Sequence, residues 1–231
     1  MPKRKRRKRV VKKLKFGPRY RVAFRRRREG KTDYYARYKM VLSGKVRAVV
    51  RKSLKNIVVQ FVEAEMEGDK TLVFTKSTEL IKYGWPYNRG NTPAAYLTGF
   101  LAGCKAIKNG IDEAILDIGP QRAIRGNRLF AALRGLIDAG VDIPYSEDVL
   151  PSYERITGKV IADWASKLKD ENPEFYQRQF SDYLKKGFKP EDMPKIFDEV
   201  LTKISEEFSV EKPSLEESEE EEEEFEELEE E

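Results

Sequence analysis

Three stretches near the start of the ordered part of this chain favour extended structure. Val46–Lys52 (VRAVVRK) and Ile57–Glu63 (IVVQFVE) are rich in β-branched residues and separated only by Ser53–Asn56. Thr71–Thr75 (TLVFT) follows the turn Glu67-Gly68-Asp69. Connections this short predict an antiparallel meander. A helix over roughly 33–42 precedes it, capped by Thr32 and stopped at Ser43-Gly44. After the meander, Thr92-Pro93 opens a helix that runs to about Asn109, with Pro93 suited to a first helical position. Ala94, Ala95, Gly99, Ala102, Gly103 and Cys104 keep it slim enough to lie close against a sheet. Ala114–Ile118 (AILDI) is nearly all apolar, as a buried strand is. Asn127 opens a helix with Leu129, Phe130, Leu133, Leu136 and Ile137 on one face, closed by Gly140. Val141–Ile143 is a last short strand, ended by Pro144. The order helix, three strands, helix, strand, helix, strand predicts an α/β fold with a mixed sheet and helices packed on it.

The last third is helical in pattern. Val160, Ile161, Trp164 and Leu168 share one helical face. Asn172-Pro173 is a second cap, followed by Phe175, Tyr176, Phe180, Tyr183 and Leu184 down to Gly187. Pro190 starts a third helix with Met193, Ile196, Phe197, Val200, Leu201 and Ile204 at spacings of three and four. These amphipathic helices dock on the core or on a partner. From Ser209 onward the chain is a Glu tract, expected to be disordered.

Charge sharpens this picture. The 231 residues carry a net +5, but residues 1–31 hold 17 Lys/Arg against the single acid Glu29, and residues 211–231 hold 14 Glu against Lys212. A nearly neutral body therefore joins a basic arm to an acidic tail. With no histidine, Ser-His and Cys-His catalysis and His-zinc sites are excluded. One cysteine, Cys104, excludes an intrachain disulfide or a cysteine metal cluster. The basic N-terminus lacks the apolar segment of a secretory signal, and no apolar run is long enough to cross a bilayer. The expectation is a soluble, cytoplasmic protein.

Nucleic acid is the partner that such an arm fits. Clustered cations neutralise phosphates and release condensed counterions. Tyr20, Phe24, Tyr34, Tyr35 and Tyr38 among them offer stacking surfaces for unpaired bases, as RNA presents them, although each is equally compatible with core packing. Arg47 and Arg51 alternate with Val46, Ala48 and Val50, so they point together to one sheet face, either as a patch extended by Lys52 and Lys55 or as an ordinary solvated face. Asp112, Glu113 and Asp117 sit around the buried strand. They are either carboxylates for Mg²⁺-assisted phosphoryl chemistry or, on the plainer reading, solvated acids of a loop. Gly84–Gly90 (GWPYNRG) lacks the spacing and ending of a P-loop and reads as a loop, in which Arg89 is a candidate phosphate contact. Cys104 reads as buried rather than reactive. The tail either aids solubility or competes with nucleic acid for the arm.

Several segments together resemble a known family: GPRYRVAFRRRREGKTDYYAR (17–37), VRAVVRKS (46–53), YGWPYNRGNTPAAYLTGFLAG (83–103), AILDIG (114–119) and GNRLFAALRGLIDAGVDIP (126–144). They are similar to large-subunit ribosomal protein eighteen, the 5S rRNA-binding family in its archaeal and eukaryotic form. The region 158–197 also resembles the C-terminal helical extension of the eukaryotic members. The resemblance implies a three-layer α/β core with a mixed five-stranded sheet, a ribonuclease-H-like motif without catalytic carboxylates. It implies a place in the central protuberance beside 5S rRNA, 23S rRNA and neighbouring large-subunit ribosomal proteins. It also implies no enzymatic activity, cofactor or small-molecule substrate. Carried onto this sequence, the RNA-binding positions are Arg19, Tyr20, Arg25, Arg26, Arg27, Arg28, Lys31, Tyr34, Tyr35, Arg37, Arg51 and Lys52.

The resulting division is a basic RNA-binding arm (1–31), an α/β core (32–150), a helical extension (151–208) and an acidic tail (209–231). The rivals to a structural rRNA-binding protein are a general nucleic-acid chaperone with opposed charged ends and a Mg-dependent nuclease on the same fold.

Overall fold

A computed structural model of the chain describes residues 21–210 together with 212 and 213. Most of the acidic tail and the first part of the arm, Arg19 and Tyr20 included, thus lie outside the described residues; of the expected disordered stretch from Ser209, Val210 packs on the core and its amide donates to the Ser205 carbonyl at 3.1 Å. Two helices come first, α1 (Arg25–Arg28) and α2 (Tyr34–Leu42). The meander follows as β1 (Arg47–Lys52), β2 (Ile57–Ala64) and β3 (Asp69–Lys76), then α3 (Thr92–Lys108), β4 (Ile115–Asp117) and α4 (Arg128–Asp138). The strand order is β3-β2-β1-β4, antiparallel throughout the meander and parallel between β1 and β4. A mixed sheet with a βαβ crossover is therefore what forms.

The sheet has four strands among the described residues. The expected fifth strand, Val141–Ile143, is reduced to one parallel bridge between Glu113 and Asp142. Gly140 and Pro144 leave only three residues between them, too few for a ladder beside a β4 that is itself three residues long. Val141 and Ile143 are nevertheless buried, as a strand's would be.

One sheet face is apolar. Ala48 and Val50 of β1 stand opposite Phe61 and Val59 of β2, and all four are fully buried beneath α3. Alternation with period two puts these residues on one side and the charged ones on the other. Above this face, α3 and α4 approach until their backbones touch. A Cβ on Gly99 would lie 2.1 Å from the Ala132 carbonyl oxygen, and one on Gly135 would lie 2.3 Å from that of Tyr96. The small residues that the sequence places on α3 thus serve a helix–helix contact as well as the sheet. Asn91 caps α3 by accepting from the Ala94 amide at 3.0 Å, which puts the cap one residue before the expected Thr92.

The chain closes with α5 (Tyr153–Thr157), α6 (Lys159–Glu171), α7 (Pro173–Gln179), α8 (Ser181–Lys185) and α9 (Met193–Phe208). Met193, Phe197, Val200, Leu201 and Ile204 of α9 join the same core as α3, so this helix docks on the body. Ala165, Leu168, Tyr176 and Phe180 form a satellite cluster. The buried face of α6 is Ala162, Ala165 and Leu168. The expected face held Trp164 and Val160, but these are 52% and 47% exposed. Their size suggested burial, yet the small alanines let α6 approach its neighbours.

Gly99→Ala tests the close approach. Alanine adds about 1 kcal/mol of intrinsic helix preference, whereas overpacking costs about 1–3 kcal/mol or more. A net loss of about 2 kcal/mol in urea unfolding is expected. An unchanged or raised midpoint would contradict the packing of α3 on α4.

Candidate nucleic-acid interface

Four consecutive arginines form the single turn of α1, and none of them is buried. A helical turn spreads successive side chains around its axis, so no common face collects them. The Phe24 carbonyl accepts from the Arg28 amide at 3.0 Å and the Arg26 carbonyl from the Lys31 amide at 2.8 Å, which closes the turn through Gly30 at φ +65°. Glu29 is shared by Arg25 at 3.6 Å and Lys31 at 2.8 Å. Arg26 Nε donates to Thr32 Oγ1 at 2.8 Å. Arg27 and Arg28 have no ion pair among the described residues.

The cap of α2 is Asp33, which accepts from the amides of Tyr35 and Ala36 at 3.0 and 3.3 Å. Thr32, the expected cap, instead receives Arg26. A carboxylate one residue later, at the positive end of the helix, is the stronger acceptor. Tyr34 is half-buried and meets the ring of Phe24 at 5.1 Å, tying α1 to α2. Tyr35 is 72% exposed, with the Lys39 ammonium 4.6 Å from its ring centre, and Tyr38 is exposed beside it. So Tyr34 packs, while Tyr35 and Tyr38 present open rings.

The second sheet face carries a chain of alternating charges. Arg37 of α2 grips Asp69 of β3 with two hydrogen bonds, at 2.6 and 2.7 Å. Arg47 Nη2 lies 2.7 Å from Asp69 and its Nη1 lies 3.4 Å from Asp117 of β4. Arg51 Nη2 donates to Asp117 Oδ1 at 2.9 Å, and its Nη1 donates to the Val50 carbonyl, also at 2.9 Å. The amide of Gly119 donates to the same Asp117 oxygen at 2.8 Å. Arg47 and Arg51 do point to one face, but Arg47 is only 2% exposed, so the face is no open cationic patch. Burial would push the Asp69 carboxyl up; its pairs with Arg37 and Arg47 overcome this and hold it below its ordinary value. The hydrogen bonds from Arg37 to Asp69 raise the Arg37 guanidinium in turn.

Asp117 is neither a solvated loop acid nor a free ligand. It is buried, and its oxygens face two guanidinium groups and an amide. A divalent cation there would meet like charge. Glu113 stands apart, exposed and paired with Lys45. Between α1, α2 and this face lies a cleft of about 510 Å³, lined by Arg26, Lys31, Tyr34, Arg37, Arg47 and Arg51 among others.

The structure therefore places Arg25, Arg26, Arg27 and Arg28 on α1 and Tyr34 and Tyr35 on the adjoining α2, with Lys31 between, and brings Arg26, Lys31 and Tyr34 to one cleft. It places Arg37 and Arg51 within internal ion pairs. Lys52, at the end of β1, donates to Asn127 Oδ1 at 3.0 Å, and burial together with the nearby Arg128 lowers its pKa. Sequence reasoning missed the counter-charges of Asp69 and Asp117, the cap Asp33 and the cation Arg128. Only Asp33 carried a local signal, an acid directly before YYAR. Cys104 is buried as expected, and burial pushes its thiol up to about 12.

Comparison with known proteins gives the family. A family model described as ribosomal large subunit proteins 60S L5 and 50S L18 matches residues 18–114 and 108–146. A large ribosomal subunit protein uL18 of Aeropyrum pernix is 53% identical over 193 residues, 83% of this chain and 90% of that protein. The chain belongs to the uL18 family. The uL18 of Methanothermobacter thermautotrophicus is 51% identical over 191 residues, 83% of this chain and 98% of its own length. That of Staphylothermus marinus is 53% identical over 193 residues, 83% and 96% respectively. The chain thus matches archaeal large-subunit proteins along almost their whole length.

Two outcomes follow from the ion-pair chain. Asp117→Asn leaves Arg47 and Arg51 short of a counter-charge and is expected to lose about 3 kcal/mol of stability in urea unfolding; a loss under about 1 kcal/mol would contradict the network. The lowered pKa of Asp69 contributes stability above the ordinary carboxylate value, and that stability is lost as pH falls from about 4. Between about pH 4 and pH 2, the fall in stability is therefore expected to be steeper in the native chain than in Asp69→Asn. Equal slopes would show that Asp69 titrates as a free acid.

Proposed function

We propose that this chain is a structural constituent of the large ribosomal subunit that binds 5S rRNA and helps attach it to 23S rRNA in the central protuberance. It works in the cytoplasm and catalyses no reaction. The observation that carries this reading is α1, an exposed turn of four arginines beside the open rings of Tyr35 and Tyr38. Cations fix the phosphate backbone, and unpaired bases stack on aromatic faces. Arg25, Arg26, Arg27, Arg28 and Lys31 hold phosphates, and Tyr35 takes a base. Tyr34 sets the angle between α1 and α2. Arg37 and Arg51 hold the surface in shape while their outer edges face the RNA, and Lys52 extends the footprint. Arg19 and Tyr20 continue it along the arm.

The names of the archaeal relatives, all large ribosomal subunit proteins, support the subunit and its rRNA and protein partners. The guanidinium surroundings of Asp117 speak against a Mg-dependent nuclease centred on that carboxylate, so the core, read as ribonuclease-H-like, serves as a scaffold. No helix among the described residues is long and apolar enough to cross a membrane. Trp164 and Val160 on α6 offer an apolar contact to a neighbouring large-subunit protein.

Replacing Arg25–Arg28 by Ala tests the assignment. The salt slope of 5S rRNA binding is expected to fall by about 3–4, at roughly 0.7–0.9 for each of four phosphate contacts, with a large loss of affinity at low salt. An unchanged slope would place the contacts elsewhere. Removing 211–231 is expected to leave 5S affinity within a few-fold; a large loss would make the tail part of the bound structure.

A further inference from the structure

A second cleft lies away from α1, where the loop after the meander meets α7 and α8. It has a volume of about 680 Å³, within the range of small-ligand sites. Lys55, Arg89 and Lys186 line it against the single acid Asp182. Its floor is aromatic: the Tyr87 ring is buried and meets Tyr183 edge-on at 5.1 Å and Phe188 at 6.3 Å. Phe188 leaves 38% of its surface open. Lys186 Nζ donates to the Pro86 carbonyl at 3.4 Å and has no ion pair among the described residues. Arg89 is half-buried, and neither it nor Lys55 has an ion pair among the described residues. A guanidinium held partly out of water without a counter-charge is poised for an anion.

The cleft also continues the first interface. Lys52 binds Asn127, whose neighbour Arg128 donates to the Gly90 carbonyl. Gly90 presses on the β1–β2 turn so closely that a Cβ there would lie 2.8 Å from the Leu54 carbonyl oxygen, beside Lys55. A belt of cations, Lys52, Arg128, Arg89 and Lys55, therefore runs from the end of β1 into the cleft. Burial and the adjacent Arg128 lower the Lys52 pKa, as expected where like charges lack an anion.

We propose that this cleft is a second RNA contact that takes an unpaired nucleotide, its base on Phe188 and Tyr183 and its phosphate on Arg89, Lys55 and Lys186. The proposal rests on the reading of the chain as an RNA-binding protein and adds a site that the arm does not contain. Stacking on an aromatic side chain is sequence-tolerant, so the site grips a splayed base wherever the RNA offers one. Asp182 at the rim accepts from a base N–H, which uracil supplies at N3.

The test uses the full chain with two probes of equal charge, an octauridylate and the same octamer without bases. Fluorescence anisotropy is measured for the native chain, Phe188→Ala, Arg89→Ala and Arg25–Arg28→Ala. Phe188→Ala is expected to weaken octauridylate about tenfold and to leave the abasic octamer within twofold. Arg89→Ala, a surface change that spares the aromatic floor, is expected to weaken both probes several-fold. If Arg25–Arg28→Ala weakens both probes while Phe188→Ala and Arg89→Ala change neither, the arm still binds RNA and the cleft does not. If none of the variants changes binding, the RNA reading falls with the proposal. If a peptide of residues 211–231 binds in a way that Arg89→Ala abolishes while RNA binding stays unchanged, the occupant is acidic peptide and the proposal is overturned.

Discussion

Arg47 lies almost fully buried between two carboxylates, Asp69 of β3 and Asp117 of β4, and each carboxylate holds a second guanidinium. Burying ions is costly unless each meets its opposite, and removing one member leaves an uncompensated charge. That constraint fixes much else. The chain of charges spans α2, β3, β1 and β4, so it joins both edges of the sheet across its charged face. Through Arg37 it holds α2 in place. Through Tyr34 and Phe24, α2 then holds α1, the turn of arginines. The sheet thus divides its labour. Its apolar face folds the protein against α3 and α4, and its charged face positions α1.

The same network separates structural arginines from available ones. A count of cations here overstates the free charge, because Arg37, Arg47 and Arg51 are ion-paired within the chain. Among the described residues Arg27 and Arg28 have no ion pair, for a local reason: the four arginines of one turn have a single acid beside them, Glu29. The belt Lys52–Arg128–Arg89–Lys55 repeats this imbalance at the other end of β1. Unpaired cations on a rigid support are what a polyanion of fixed shape selects, since phosphate contacts position and shape specifies.

Legibility in the sequence followed the range of the interaction. The meander, the βαβ crossover and the two sheet-covering helices were readable because period two, period 3.6 and turn residues act within a few positions. The fifth strand was not, because Val141–Ile143 has the composition of a strand and too little length for a ladder. The face of α6 was misread because Trp164 and Val160 are large and apolar, whereas Ala162 and Ala165 are the residues that permit close approach. The role of Asp117 was hidden because its partners Arg47 and Arg51 are about seventy residues away in the chain. No local pattern tells a metal-binding carboxylate from one held by arginines.

The central claim is that a rigid body presents the arm to one RNA in particular. Binding of the full chain to 5S rRNA and to a size-matched unrelated RNA, each at low and at near-physiological salt, tests it most directly. The account predicts a strong preference for 5S rRNA that persists as salt rises. Equal affinity for both RNAs, collapsing together with added salt, would contradict it and leave the arm a non-selective polycation.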